Sequence, residues 1–80
     1  MSPDRLNKLT GIFRTLFNQD DLVLRENLTA KDVAGWDSFN HVNLIIQIEE
    51  EFNVRFTTDE ISSMQEVGDL MKLLDQKLGA

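Results

Sequence analysis

The chain has 80 residues, 41% apolar and 28% charged, with a formal net charge of −6. That length suits one small domain, expected to span residues 1–80 around a single modest core. The lack of cysteine excludes disulfides, thiolate metal sites and a thiol nucleophile, and a lone histidine excludes a multi-histidine metal centre. Pro3 follows Ser2, a natural helix cap, and proline is well suited to the first helical position. Leu6, Leu9, Ile12, Phe13, Leu16 and Phe17 then recur at helical spacing and predict a helix over about residues 3–17. Gly11 weakens that helix by about 1 kcal/mol relative to alanine.

Residues 18–37 show no sustained period. Asn18, Asp20, Asn27, Gly35 and Asp37 punctuate them. They read as a long ordered loop pinned by Leu22, Leu24 and Leu28, with room for a short helical turn near Thr29–Val33. A connection of this length inside a small domain commonly carries function. Trp36 reads as a plug that seats the loop on the core, with an exposed contact residue as the alternative.

A second helix is expected from Asp37 or Ser38, because the Asp37 carboxylate is a good acceptor for the free amides of a first turn. Leu44, Ile45, Ile48 and Phe52 make one apolar face; Phe39, Val42 and Ile46 make an adjoining one. So wide an arc implies deep burial or an edge kept for a partner. Glu49, Glu50 and Glu51 load the C-terminal turns, where acids oppose the helix dipole, and Asn53 is the expected stop. Thr57-Thr58-Asp59-Glu60 reads as a capping box opening a short third helix to about Ser63. A fourth is expected from about Glu66 to Leu78, with Val67, Leu70, Met71, Leu74 and Leu78 on one face and Gly79 ending it. Nothing alternates as a half-buried strand does. The expected fold is an all-α four-helix bundle, three longer helices and one short, with a long loop between the first two.

Charge is uneven. Residues 41–80 carry eight acids and three bases, against six and five in residues 1–40. A nucleic-acid ligand needs the opposite sign; partners with basic faces fit better. The start, Met1-Ser2-Pro3-Asp4, has no basic stretch leading into an apolar one, and no apolar run approaches a membrane span. A cytoplasmic location without membrane insertion is the expectation.

Few residues offer chemistry. Ser38 and His41 stand three apart on one helix, a spacing that lets a nucleophile meet a base. Only Asp37 is placed to orient the histidine and nothing supplies an oxyanion hole, so a hydrolase reading is disfavoured. No window around Asp20, Asp21 or Asp32 has the acid and glycine spacing of a calcium loop.

Asp37-Ser38-Phe39, followed by Val42, Leu44, Ile45, Ile48 and Glu49-Glu50-Glu51-Phe52, resembles the second helix of acyl carrier proteins, whose signature is Asp-Ser-Leu at the start of an acidic, apolar helix. Met64-Gln65-Glu66-Val67-Gly68-Asp69-Leu70-Met71 is similar to the opening of the family's last helix. The long first loop is also typical. The resemblance covers essentially the whole chain. It implies a discrete, stand-alone carrier, not an enzyme, on which Ser38, beside Asp37, bears a covalent 4′-phosphopantetheine from coenzyme A. Acyl groups would ride as thioesters on that arm in fatty-acid, polyketide or related biosynthesis. Phe39, Val42 and Ile46 would form the partner edge, and Glu49 and Glu50 would pair with basic patches. The implied partners are a phosphopantetheinyl transferase and acyl-loading and acyl-transferring enzymes, met by a monomer. Phe39 replaces the usual leucine, and Asn40 and Asn43 stand where fatty-acid carriers often have acids, which points to a specialised partner set. An aminoacyl or peptidyl carrier loaded by an adenylating ligase, and a non-carrier acidic adaptor, stay open beside this reading.

Overall fold

Helix boundaries lie where local side chains satisfy the free backbone groups of the ends. In the computed structural model, which describes residues 2–79, α1 runs Pro3–Phe17, with the Ser2 hydroxyl accepting from Arg5 N–H and Asn18 closing it in the left-handed region at φ 54°. Helix α2 runs Ser38–Phe52 between the Asp37 cap and Asn53, which is left-handed at φ 55°. Helix α3, Thr58–Ser63, opens on the expected box, with Thr57 Oγ1 accepting from Glu60 N–H and the Glu60 carboxylate from Thr57 N–H. Helix α4, Val67–Leu78, starts one residue later than expected and ends at Gly79. The Asp69 carboxylate accepts from the N–H groups of Gln65 and Glu66 and so fixes its entry. Among the described residues there is no strand, only an isolated antiparallel bridge between Thr29 and Glu66.

The core is one cluster. Leu9, Phe13 and Phe17 of α1 meet Leu44, Ile45 and Ile48 of α2 and Val67, Leu70 and Leu74 of α4. Leu28 and Val33 from the long loop complete it, with Leu22 and Leu24 packed at its edge. Polar bonds hold the loop as well. Val67 N–H donates to Leu28 O and Gly68 N–H to Glu26 O, while Arg14 Nε donates to Leu22 O. The segment expected to hold a helical turn forms one hydrogen-bonded turn, Asp32 N–H to Thr29 O, and no helix. There the Asp32 carboxylate takes up the Thr29 N–H and hydroxyl, a local competitor to helix formation.

Helix α3 buries no side chain fully. Ile61 packs in part against the core, and polar contacts add to it: Glu60 pairs with Lys77 of α4 at 2.9 Å, and Lys77 Nζ lies 5.3 Å from the centre of the Phe56 ring. Arg5 and Asp75 tie α1 to α4 at 2.7 Å. Among the described residues no helix is long and apolar enough to cross a membrane, and no group of three or more His, Asp or Glu is placed to hold a metal ion.

Candidate functional site

Ser38 is the first residue of α2 and is exposed. Asp37 before it is extended, its side chain accepts from Asn40 N–H at 2.8 Å, and its carbonyl accepts from His41 N–H. The amides of Ser38 and Phe39 have no acceptor among the described residues, so they and the positive end of the helix dipole lie beside the serine hydroxyl. Such a mouth suits an anion.

Side chains of α2 hold the approach to Ser38 in place. Asn40 Nδ2 donates to Gly35 O at 2.7 Å, and Gly35 turns the chain at φ 89°, a conformation that favours glycine. Trp36 is half-buried and wedged inward, its ring centre 5.5 Å from Phe13 and 5.9 Å from Phe17. The loop tryptophan is therefore a plug, as expected. Its Nε1–H donates to His41 Nδ1 at 3.2 Å. An indole N–H only donates, which makes Nδ1 the acceptor and leaves the imidazole proton on Nε2. That nitrogen lies 3.2 Å from Ile61 O in α3 and donates to it. Both ring nitrogens are thus occupied, and no hydrogen bond joins His41 to the Ser38 hydroxyl among the described residues. The histidine is half-buried and not placed as a base for the serine.

The two faces of α2 separate as the spacing predicts. Leu44, Ile45 and Ile48 are buried, whereas Phe39, Val42 and Ile46 are 75%, 54% and 46% exposed. Together they make an apolar edge running down the helix from Ser38. Glu50 is exposed beyond them. Glu49 is half-buried, and its carboxylate accepts from Phe56 N–H at 2.9 Å, pinning the α2–α3 connection. This gives the acid a structural task at a helix end where its charge is otherwise unfavourable. Sequence spacing does not reveal that bond, because its partner lies seven residues on, past the helix stop.

Three relatives bear on identity. An acyl carrier protein of Phenylobacterium zucineum is 31% identical over 77 residues, covering 96% of this chain and 98% of that protein. The chain belongs to the acyl carrier protein family. A second acyl carrier protein, from Caulobacter vibrioides, is 30% identical over 92% of this chain and 95% of its own length. The solution structure of a holo acyl carrier protein from Geobacter metallireducens superposes with a TM-score of 0.86 at 40% identity, covering 92% of this chain and 85% of that one. No protein-family model matches the chain. Family membership rests on these relatives together with the fold shared with the Geobacter metallireducens protein.

Proposed function

We propose that this acyl carrier protein is loaded at Ser38 and presents acyl groups to partner enzymes along the Phe39–Val42–Ile46 edge. The observation that carries the reading is an exposed serine hydroxyl at the mouth of α2, beside amides that lack acceptors. These residues fit a phosphodiester: the hydroxyl is open, the helix end favours the charge, and the Asp37 carboxylate is drawn aside by Asn40 N–H. When attached, 4′-phosphopantetheine supplies a thiol on which acyl groups are held as thioesters.

The chain's own part is presentation. Ser38 Oγ bonds to the β-phosphorus of coenzyme A, the bond to 3′,5′-ADP breaks, and the serine proton leaves to a base. His41 is occupied by Trp36 and Ile61, so that base belongs to the transferase. Exposed apolar area at Phe39, Val42 and Ile46 gives a partner something to bury, and Glu50 flanks it with negative charge. Glu49 adds charge there while its carboxylate also holds Phe56. The chain carries out no reaction by itself in this reading.

Incubation with coenzyme A and a broad-specificity phosphopantetheinyl transferase, read by intact mass, is expected to add one phosphopantetheine. Ser38→Ala abolishes the addition with the helical circular dichroism unchanged. An unmodified wild-type mass would overturn the reading.

A further inference from the structure

A groove of about 490 Å³ opens beside Ser38, between the end of the long loop, the first turn of α2 and α3. Ser38, Trp36, His41, Ile61, Ser62 and Gln65 line it. Its lining mixes ring and aliphatic surface with two hydroxyls, an amide and, at its edge on the helix cap, the Asp37 carboxylate. Behind it stands a wall. Phe13 is fully buried, Trp36 packs edge-on against it, Trp36 donates to His41, and His41 donates to Ile61 O. One continuous series of contacts thus joins the side chains of α1, the loop and α2 to the backbone of α3 along the groove that holds Ser38. Beyond it Leu44, Ile48 and Leu74 are fully buried.

We propose that His41 is a specificity-determining latch: it closes α3 against α2, keeps long alkyl cargo out of the core, and leaves the groove beside Ser38 to short acyl groups. The proposal rests on Ser38 being the attachment point. A long alkyl chain gains by leaving water, but entering a filled core means opening a cavity. Those two effects are of similar size per methylene. A pair of part-buried hydrogen bonds therefore decides which wins. Helix α3 is the wall most easily displaced, since it buries no side chain fully: Ile61, with Met64 beyond it, packs on the core only in part, and the polar ties are the Glu60–Lys77 pair, Glu49 through Phe56, and His41. Of the polar ties only the His41 bond lies at the groove. A short acyl group has too little apolar area to drive α3 away, so it is indifferent to the latch.

The test loads the full chain from acetyl-coenzyme A and from dodecanoyl-coenzyme A with a phosphopantetheinyl transferase. Thioester cleavage by hydroxylamine is then timed for each, relative to the matching free acyl-pantetheine. A cargo sequestered nine-tenths of the time is cleaved about ten-fold more slowly. In the wild type the two relative rates are expected to agree within about twofold. In His41→Ala the dodecanoyl thioester is expected to become at least about five-fold protected, the acetyl one unchanged. His41→Gln, whose amide still donates toward Ile61 O, is expected to restore wild-type behaviour. If His41→Ala loses its helical circular dichroism, His41→Leu takes its place, removing both ring hydrogen bonds while keeping most of the side-chain volume, with protection expected in the same direction. Protection of dodecanoyl in the wild type, or no length dependence in a folded variant, overturns the latch. Failure to load at all overturns the attachment reading instead, and the latch falls with it.

Discussion

At the scale of single residues, two glycines in helices behave oppositely. Gly11 is exposed in α1, and a Cβ added there meets nothing within 4 Å. Gly11→Ala is expected to raise stability by about 0.5–1 kcal/mol, since alanine loses less backbone freedom on folding. At Gly68 an added Cβ lies 2.9 Å from Glu26 O and 3.2 Å from Glu26 Cβ. That carbonyl is itself fixed by Gly68 N–H at 2.8 Å, so it cannot retreat without losing the bond that holds the loop on α4. Gly68→Ala is expected to lower stability by about 1–3 kcal/mol. Urea midpoints at an unchanged slope measure both. The Gly11 effect is readable in sequence, because helix propensity is local. The Gly68 requirement is not, because its partner backbone is distant in the chain. The same division runs through the site. Asp37 and Ser38 stand out because a cap is a local pattern. The bonds of His41 to Trp36 and Ile61, and of Glu49 to Phe56, cross turns that no spacing rule specifies.

At the scale of elements, the helices were legible to within a residue, since caps, apolar spacing and stop signals agree at each end. The loop was legible only as a loop. Val33 is as buried as Leu28, yet it sits in a stretch without period, so its burial follows from the tertiary packing of the core and not from a local pattern. Helix α2 shows how one element serves two masters, core on one face and the approach to Ser38 on the other. Asn40 is informative because its side chain ties the helix to the loop before it. Its Nδ2 donates to Gly35 O, and a carboxylate has no proton to give there at neutral pH. Asn40→Asp gains up to about 1 kcal/mol from the helix dipole but sets an oxygen against the Gly35 carbonyl. The second effect is expected to win, lowering stability by about 1 kcal/mol net. The Gly35–Trp36 turn loosens, visible as a red shift and weakening of Trp36 fluorescence. A more stable variant with unchanged fluorescence would show that the Gly35 contact does not hold the loop.

At the scale of the whole molecule, two electrostatic effects oppose each other as pH falls. The net charge of −6 makes the folded chain repel itself at neutral pH. Against this, four carboxyls are held below their ordinary values by bonds present only in the fold. Thr29 N–H does this for Asp32, Thr57 N–H and Lys77 for Glu60, the Gln65 and Glu66 amides for Asp69, and Arg5 for Asp75. A carboxyl lower in the folded state than in the unfolded adds stability above its unfolded value and loses it as pH falls through the folded one. Acidification from neutral thus first relieves repulsion; below about pH 4, the ordinary carboxylate range, it removes the caps of α3, the lock on the α4 entry and the α1–α4 tie. Salt separates the two. At about 1 M the screening length is about 3 Å, so long-range repulsion is largely gone while hydrogen-bonded carboxylates keep their partners. Thermal unfolding is therefore expected at higher temperature in 1 M salt than in dilute buffer at pH 7, with the gap closing toward pH 4. Below that, the melting temperature falls in both. A melting temperature that kept rising in dilute buffer below about pH 4.5, where the net charge passes zero and repulsion returns with the opposite sign, would mean that the four carboxyl contacts add little stability. The bonds that order the long loop and the short helix would then contribute little to holding Ser38 where it stands.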